Sequence, residues 1–320
     1  MKILAIQNRM GIGDTVIFLP FIKAISEKFN SPISLLVKES AKADQYLYDT
    51  DYINEIIILD RNKNLKGRHD GILGGLSLIK DLKKYNFDKV FIFNSSLRFN
   101  LIAKLSKIPE IFQYPLLKKT NQHIINTAKN FIEAKLNMHV SEDPEIQIKQ
   151  KLILKATEEY NINENNCNIL LGIGGSGPTK RIPAKTFLKV IEKMIDKKNC
   201  HFFLATGKDK DEQLILNQIL ESKFQKFCTP LDDLSIKETL PIIKKCNISI
   251  CNDTGFGHLS AALGIKTIML MADAPLMYGN YSTKMFPIIP DGEETVSHNT
   301  LGKEKINPQS IFKKIIEILN

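Results

Sequence analysis

The run from Cys246 to Leu270, CNISICNDTGFGHLSAALGIKTIML, limits the possible folds more than any other stretch. Ile248 to Cys251 is the short apolar run that a strand buried on both faces presents. Asn252-Asp253-Thr254-Gly255-Phe256-Gly257-His258 follows at once, then a helical stretch, Leu259 to Leu263, a stop at Gly264 and a second buried run, Thr267 to Leu270. Strand, polar turn, helix and strand in this order make a βαβ unit, and βαβ units build parallel sheets. Ligands of such sheets bind beyond the carboxyl ends of the strands, where the turn after Cys251 lies. The bland alternative is that Asp253 only caps the helix.

The same alternation extends over the whole chain. Expected strands in the first half are Lys2–Gln7, Ile33–Val37, Glu55–Leu59 and Lys89–Phe93; between them the apolar spacing predicts helices over Thr15–Phe29, Ala41–Tyr48, Leu76–Tyr85 and Leu97–Lys107. Pro20 predicts a kink or a late start in the first helix. Asp60 to Gly75 is expected to be a loop, and Lys118 to Met138 mostly one amphipathic helix. After Asp143-Pro144 and a helix over Ile148–Tyr160, the rhythm restarts with strands at Asn168–Ile173, His201–Ala205, Phe224–Cys228, Ile248–Cys251 and Thr267–Leu270. Past Met271 the chain is expected to be irregular until Pro308 opens a last helix, Gln309–Leu319. The fold class is therefore α/β, with two Rossmann-like, doubly wound parallel-sheet domains. Expected boundaries are 1–150, 151–305 and a terminal helix at 306–320.

Charge narrows the choice of ligand. The net charge is +9, of which residues 1–150 carry +6, so the first half suits an acidic substrate or an anionic membrane surface. No compact Lys/Arg run interleaved with aromatics points to nucleic acid. No apolar run approaches the roughly 18 residues that span a bilayer. With no signal-peptide pattern at the N-terminus, a cytoplasmic location is expected. The five cysteines form no CxxC pair and read as small buried hydrophobes.

Three further segments carry chemistry. Gly11-Ile12-Gly13-Asp14-Thr15 follows the first strand but has Val16 where a dinucleotide fingerprint needs its third Gly. A carboxylate at this helix entrance is either a cap or a general base kept ionised by the helix N-terminus. Gly172-Ile173-Gly174-Gly175-Ser176-Gly177-Pro178-Thr179-Lys180-Arg181 offers glycines, hydroxyls and cations for a phosphate cradle, without Walker A spacing. Asp209-Lys210-Asp211 has the DxD spacing of some metal–diphosphate sites, or is simply the acidic first turn of a surface helix; no other spacing suggests a metal.

These blocks, in this order, resemble glycosyltransferase family 9, the bacterial lipopolysaccharide heptosyltransferases. The likeness rests on Gly11-x-Gly13-Asp14 with Pro20, on Gly174-Gly175-Ser176 with Lys180 and Pro183, and on Asn252-Asp253-Thr254-Gly255 with His258-Leu259 and Ala261-Ala262. It implies a GT-B architecture with a cleft between an N-terminal acceptor domain and a C-terminal nucleotide-sugar domain, and a last helix that packs back towards the N-terminal domain. It also implies an inverting, metal-independent transfer, cofactor-free apart from the nucleotide-sugar co-substrate. The sugar would be heptose-like, from ADP-heptose or a related donor, and the acceptor a lipopolysaccharide core or other lipid-linked or surface glycan. By position, Asp14 matches the general base beside Gly13, and Lys180 the group that offsets leaving-group charge. Gly175, Ser176 and Lys180 match diphosphate-binding residues, and Asp253, Thr254, Gly255 and His258 the donor turn. The chain departs from the family pattern at Ile182, where a Trp is usual, and at Ala272-Asp273-Ala274-Pro275, where Gly-x-Thr-x-Pro is usual. Peripheral contact with an anionic inner membrane would follow from a lipid-linked acceptor. A catalytically silent nucleotide-sugar binder and a nucleotide-dependent oxidoreductase are the alternatives.

Overall fold

Short apolar runs, buried on both faces, form two wholly parallel sheets. The computed structural model describes residues 1–62, 64, 67–116, 123–175 and 177–320, and the chain divides into the units Met1–Gln147 and Ile148–Asn320. In chain order the first unit contains β1 (Ile3–Ile6), α1 (Ile12–Val16), α2 (Leu19–Phe29), β2 (Ile33–Lys38), β3 (Ile53–Leu59) and α3 (Gly71–Lys83). It continues with β4 (Lys89–Ile92), α4 (Leu97–Leu105), β5 (Glu110–Gln113) and α5 (Ile124–Leu136). The strands lie in the order β3-β2-β1-β4-β5, with Ile3 of β1 level with Ile33 on one side and Lys89 on the other. Leu78, Ile79 and Leu82 of α3 and Phe99, Ile102 and Ala103 of α4 cover one face, against Leu4, Ile6, Leu36, Val90 and Ile92. The other face carries an aromatic cluster in which Phe91, Phe93 and Tyr114 meet Phe18 and Phe131.

The second unit runs α6 (Gln150–Glu159), β6 (Cys167–Gly172), α7 (Ala184–Ile195), β7 (Cys200–Ala205), α8 (Lys210–Leu220) and β8 (Cys228–Pro230). It then has α9 (Ile236–Lys244), β9 (Ile248–Asn252), α10 (Gly255–Ala262), β10 (Thr267–Leu270), β11 (Met285–Ile288) and α11 (Pro308–Leu319). Its sheet order is β11-β10-β9-β6-β7-β8, and every pairing is parallel. Ile311, Ile315 and Ile318 line one face of α11, joining the core with Phe187, Ile191 and Met194 of α7. Cys200, Cys246 and Cys251 are buried, and burial pushes the Cys251 thiol up to about 12, so they act as small core residues.

Several expectations need correction. The helix expected at Ala41–Tyr48 is instead a pair of 3₁₀ turns, Glu39–Ala41 and Ala43–Gln45, separated by Lys42 at φ 48°, which no continuous helix accommodates. The expected loop Asp60–Gly75 ends early, because α3 begins at Gly71, where the Arg98 guanidinium donates to the carbonyls of His69 and Gly71. Phe224–Cys228 is not one strand; a 3₁₀ turn, Gln225–Phe227, precedes β8. The segment after Met271 contains β11, an edge strand able to carry Pro287. The helix expected at Thr15–Phe29 is two helices parted at Ile17-Phe18, and the late start that Pro20 predicts is met, with Pro20 in the first turn of α2. Residues 118–122 of the expected helix Lys118–Met138 lie outside the described residues.

Candidate functional site

Parallel strands put every βα turn of a sheet at one edge, so β6 and β9, adjacent in the second unit, bring two glycine-containing turns together. The Lys180 ammonium, from the turn after β6, is ion-paired with the Asp253 carboxylate from the turn after β9. His258, one turn into α10, points Nε2 to within 3.8 Å of the other Asp253 oxygen, and its Nδ1 lies 2.9 Å from the Tyr281 hydroxyl. The Tyr281 and His258 rings stack with centroids 5.7 Å apart. Asp253 and His258 are buried, whereas Lys180 is only part-buried. The helix cap at this position is Thr254, not Asp253, and its side chain makes no capping bond. Asp253 is thereby left to Lys180 and His258.

Burial by itself would raise the Asp253 carboxyl, but the neighbouring His258 imidazole and Lys180 ammonium outweigh it and hold the group down at about 2. A lowered folded-state value contributes stability above the ordinary carboxylate value of 3.8, and the contribution disappears as pH falls towards 2. The displacement corresponds to about 2 kcal/mol. In calorimetric scans between pH 5 and pH 2.5, wild-type stability is therefore expected to fall more steeply with acid than that of Asp253→Asn. Parallel slopes in the two proteins would remove Asp253 as the linked group.

The turn after β6 is held on all sides. Asn252 Nδ2 donates to the carbonyls of Ile173 and Gly174 at 2.8 and 3.0 Å, lacing β9 to the loop. The Gly175 N–H donates to Glu212 Oε1 at 2.6 Å, and Arg181 Nε donates to the Gly175 carbonyl at 2.9 Å. Glu212 is buried between two glycines: a Cβ at Gly174 would meet its Oε1 at 2.7 Å, and one at Gly207 its Oε2 at 2.4 Å. Only glycine allows the carboxylate that close. Asp209 and Asp211 both accept from Arg181 Nη1, at 2.9 and 3.0 Å, while Asp209 also caps α8. Among the described residues no group of three His, Cys, Asp or Glu side chains is placed to hold a metal ion. Asp273, in the divergent Ala272–Pro275 segment, accepts from the Leu301 N–H at 2.9 Å, and burial there is outweighed by this bond and by the Thr179 hydroxyl, which lower its pKa.

In this way Lys180, Asp253 and His258 are brought together, with Gly175 beneath them and Thr254 and Gly255 at the entrance of α10, whose first N–H groups have no acceptor within the helix. A cation beside helix N–H groups suits a diphosphate. Ser176 lies outside the described residues. Gly13 and Asp14 belong to the first unit, at the carboxyl edge of its sheet. Gly11 turns the chain there at φ 100°, a conformation that favours glycine, and places Asp14 in the first turn of α1. Gln7 Nε2 donates to the Asp14 carbonyl at 2.9 Å, and Arg9 Nη1 is 3.6 Å from Asp14 Oδ1. Glu212, Arg181 as a clamp, and Tyr281 carry no local sequence signal that singles them out. Glu212, sitting three residues after a capping Asp, looks like any acidic first turn; its burial is visible only in three dimensions.

The family model for glycosyltransferase family 9 (heptosyltransferase) matches residues 76–316. A lipooligosaccharide heptosyltransferase 2 of Campylobacter jejuni is 28% identical over 270 residues, covering 81% of this chain and 78% of that protein. Among solved structures, a glycosyl transferase family 9 protein of Veillonella parvula superimposes with a TM-score of 0.79 at 19% identity, over 99% of this chain and 97% of the other. The E. coli heptosyltransferase WaaC with ADP does so with a TM-score of 0.74 at 14% identity, over 99% and 100% of the two chains.

Proposed function

The chain belongs to glycosyltransferase family 9, with the GT-B fold of that family, and on this premise we propose that it moves a heptose-like sugar from ADP-heptose or a related nucleotide sugar onto a lipopolysaccharide-core or other lipid-linked surface glycan. One observation carries the donor half of the reading: the Lys180–Asp253–His258 constellation at the adjoining ends of β6 and β9, on a loop clamped by Asn252, Glu212 and Arg181. The ADP complex of the similarly folded E. coli WaaC is in keeping with it.

In this reading Asp14 takes the proton from an acceptor hydroxyl, whose oxygen attacks the anomeric carbon as the bond to the diphosphate breaks. The nucleoside diphosphate leaves with the electron pair. Lys180 and the amino end of α10 offset the charge it gains, and configuration inverts because the attack is in line. In the same reading Asp253, held ionised, orients Lys180 and accepts from sugar hydroxyls. The carboxylates of Asp209 and Asp211 are occupied by Arg181, which favours a transfer that needs no metal. The oxidoreductase alternative falls with family membership, and the silent-binder alternative depends on Asp14.

The test is a panel of nucleotide sugars in a thermal-shift assay, followed by transfer to a core-glycan acceptor in EDTA. Nucleotides that bind the folded state raise apparent stability, so ADP-heptose at a hundred times its Kd should add about 2.7 kcal/mol. Donor-dependent transfer should persist in chelator. If no nucleotide sugar stabilises the protein, or transfer needs an added divalent ion, the reading is wrong in that respect. A lipid-linked acceptor also makes the protein peripheral to an anionic membrane; among the described residues no helix is long and apolar enough to cross one.

A further inference from the structure

Six of the thirteen large hydrophobic side chains exposed among the described residues lie on just two neighbouring helices, α3 and α4. Ile72 is 86% exposed and Leu73 79%, with Leu76 beside them on the same face of α3. Leu97, Leu101 and Leu105 repeat every four residues along α4, and each is about half exposed. The buried stripes of both helices face the sheet, so these six side chains point the other way. Arg98 of α4 donates to the Gly71 and His69 carbonyls, which keeps the amino ends of the two helices level. The other seven lie outside these two helices.

Cations flank the stripe. Residues 71–107 carry seven Lys and Arg against two Asp, and Lys80, Lys83, Lys84, Lys104 and Lys107 are all exposed. Of the two acids, Asp81 is engaged by Arg68, His69 and Lys84, and Asp88 accepts from the Lys2 N–H. A second copy docked on this face by two-fold symmetry would set lysines against lysines. An anionic bilayer takes the aliphatics into its acyl boundary and the ammonium groups into its headgroups.

We propose that the outer face of α3 and α4 is the surface by which this protein rests on an anionic lipid bilayer. The face reaches the working edge of the first sheet. Both helices start at the carboxyl ends of parallel strands, the edge that also bears the Gly11–Asp14 turn, and Asn94 after β4 donates to Asn8 after β1 at 3.2 Å. Seated this way, the bilayer holds the glycan of a lipid-linked acceptor near Asp14. That consequence rests on the transferase reading, whereas the surface itself does not.

The experiment is cosedimentation of the full chain with vesicles of phosphatidylcholine, with and without about one-third phosphatidylglycerol. The wild type is expected to bind the anionic vesicles at least tenfold more tightly than the neutral ones, and less so at high salt. The double variant Leu73→Gln/Leu101→Gln should bind them at least tenfold more weakly while keeping its melting temperature, its nucleotide-induced shift and its transfer to a delipidated acceptor. No binding by the wild type, or equal binding by the variant, overturns the proposal. So does light scattering that finds a dimer which the variant dissociates, since the face would then cover a second copy. Loss of nucleotide response with vesicle binding intact would instead strike the transferase reading alone.

Discussion

Asp14→Asn is expected to lower the rate of sugar transfer by about 10²–10⁴-fold, the range that positioned general bases contribute. Asn keeps the size and the hydrogen-bonding end of the side chain, and Gly11 sets the turn through its backbone, so the local fold should persist. The Lys180–Asp253–His258 constellation lies in the other unit and is not altered. Nucleotide affinity is therefore expected to stay within about twofold, because only the proton acceptor has been removed. Single-turnover transfer at saturating donor, alongside calorimetric titration of ADP, separates the two quantities. A loss of less than tenfold in turnover would take the general-base role away from Asp14, and an unchanged rate would favour proton transfer to water or to another group.

Lys180→Ala should be the more disruptive change because it acts on both folding and binding. The Asp253 carboxylate, buried with only 8% of its surface exposed, loses its closest cation and keeps His258 at 3.8 Å. Breaking a buried pair by removing one partner costs up to about 3–5 kcal/mol. Lys180 is itself partly exposed, so water relieves some of that, and about 1–3 kcal/mol is the expected loss here. Nucleotide binding should weaken by about 10–100-fold, since a hydrogen bond to a charged group contributes roughly 1.5–3 kcal/mol. The double variant Lys180→Ala/Asp253→Asn distinguishes the roles. It should recover most of the stability, having no unpaired buried charge, yet bind nucleotide no better than the single variant. If restoring stability also restored affinity, Lys180 would be a structural ion-pair partner and not a ligand of the diphosphate.

The clamped loop and the core beneath it also take in the departures from the family pattern. Asp273 stands in a segment where the sequence diverges, yet it is tied to the Leu301 N–H and the Thr179 hydroxyl. It therefore braces the same turn that carries Lys180. Ile182, in place of the usual aromatic, is fully buried with Phe187 and Leu204 in the second core, so its side chain serves packing there.

Much of this was legible in the chain alone, for a local reason. Strands of parallel sheets are buried on both faces, so Ile3–Ile6, Ile33–Lys38, Cys167–Gly172 and Ile248–Asn252 stand out as apolar runs with polar turns after them. The turn 252–258 and the Lys180 loop could be picked out because each is a cluster within a few residues. Elements with weak local pattern escaped or were misplaced: β5, β8 and β11 are short, partly buried edge strands, and β8 and β11 each contain a Pro. Tertiary structure alone decided which charges meet. Lys180 and Asp253 lie 73 positions apart and Arg181 and Asp209 28, and only the adjacency of strand ends brings them within reach. Glu212 is the clearest case. In the chain it is one acid among three at a helix start; in the fold it is a buried acceptor that holds the Gly175 N–H, because the glycines at 174 and 207 leave room for it.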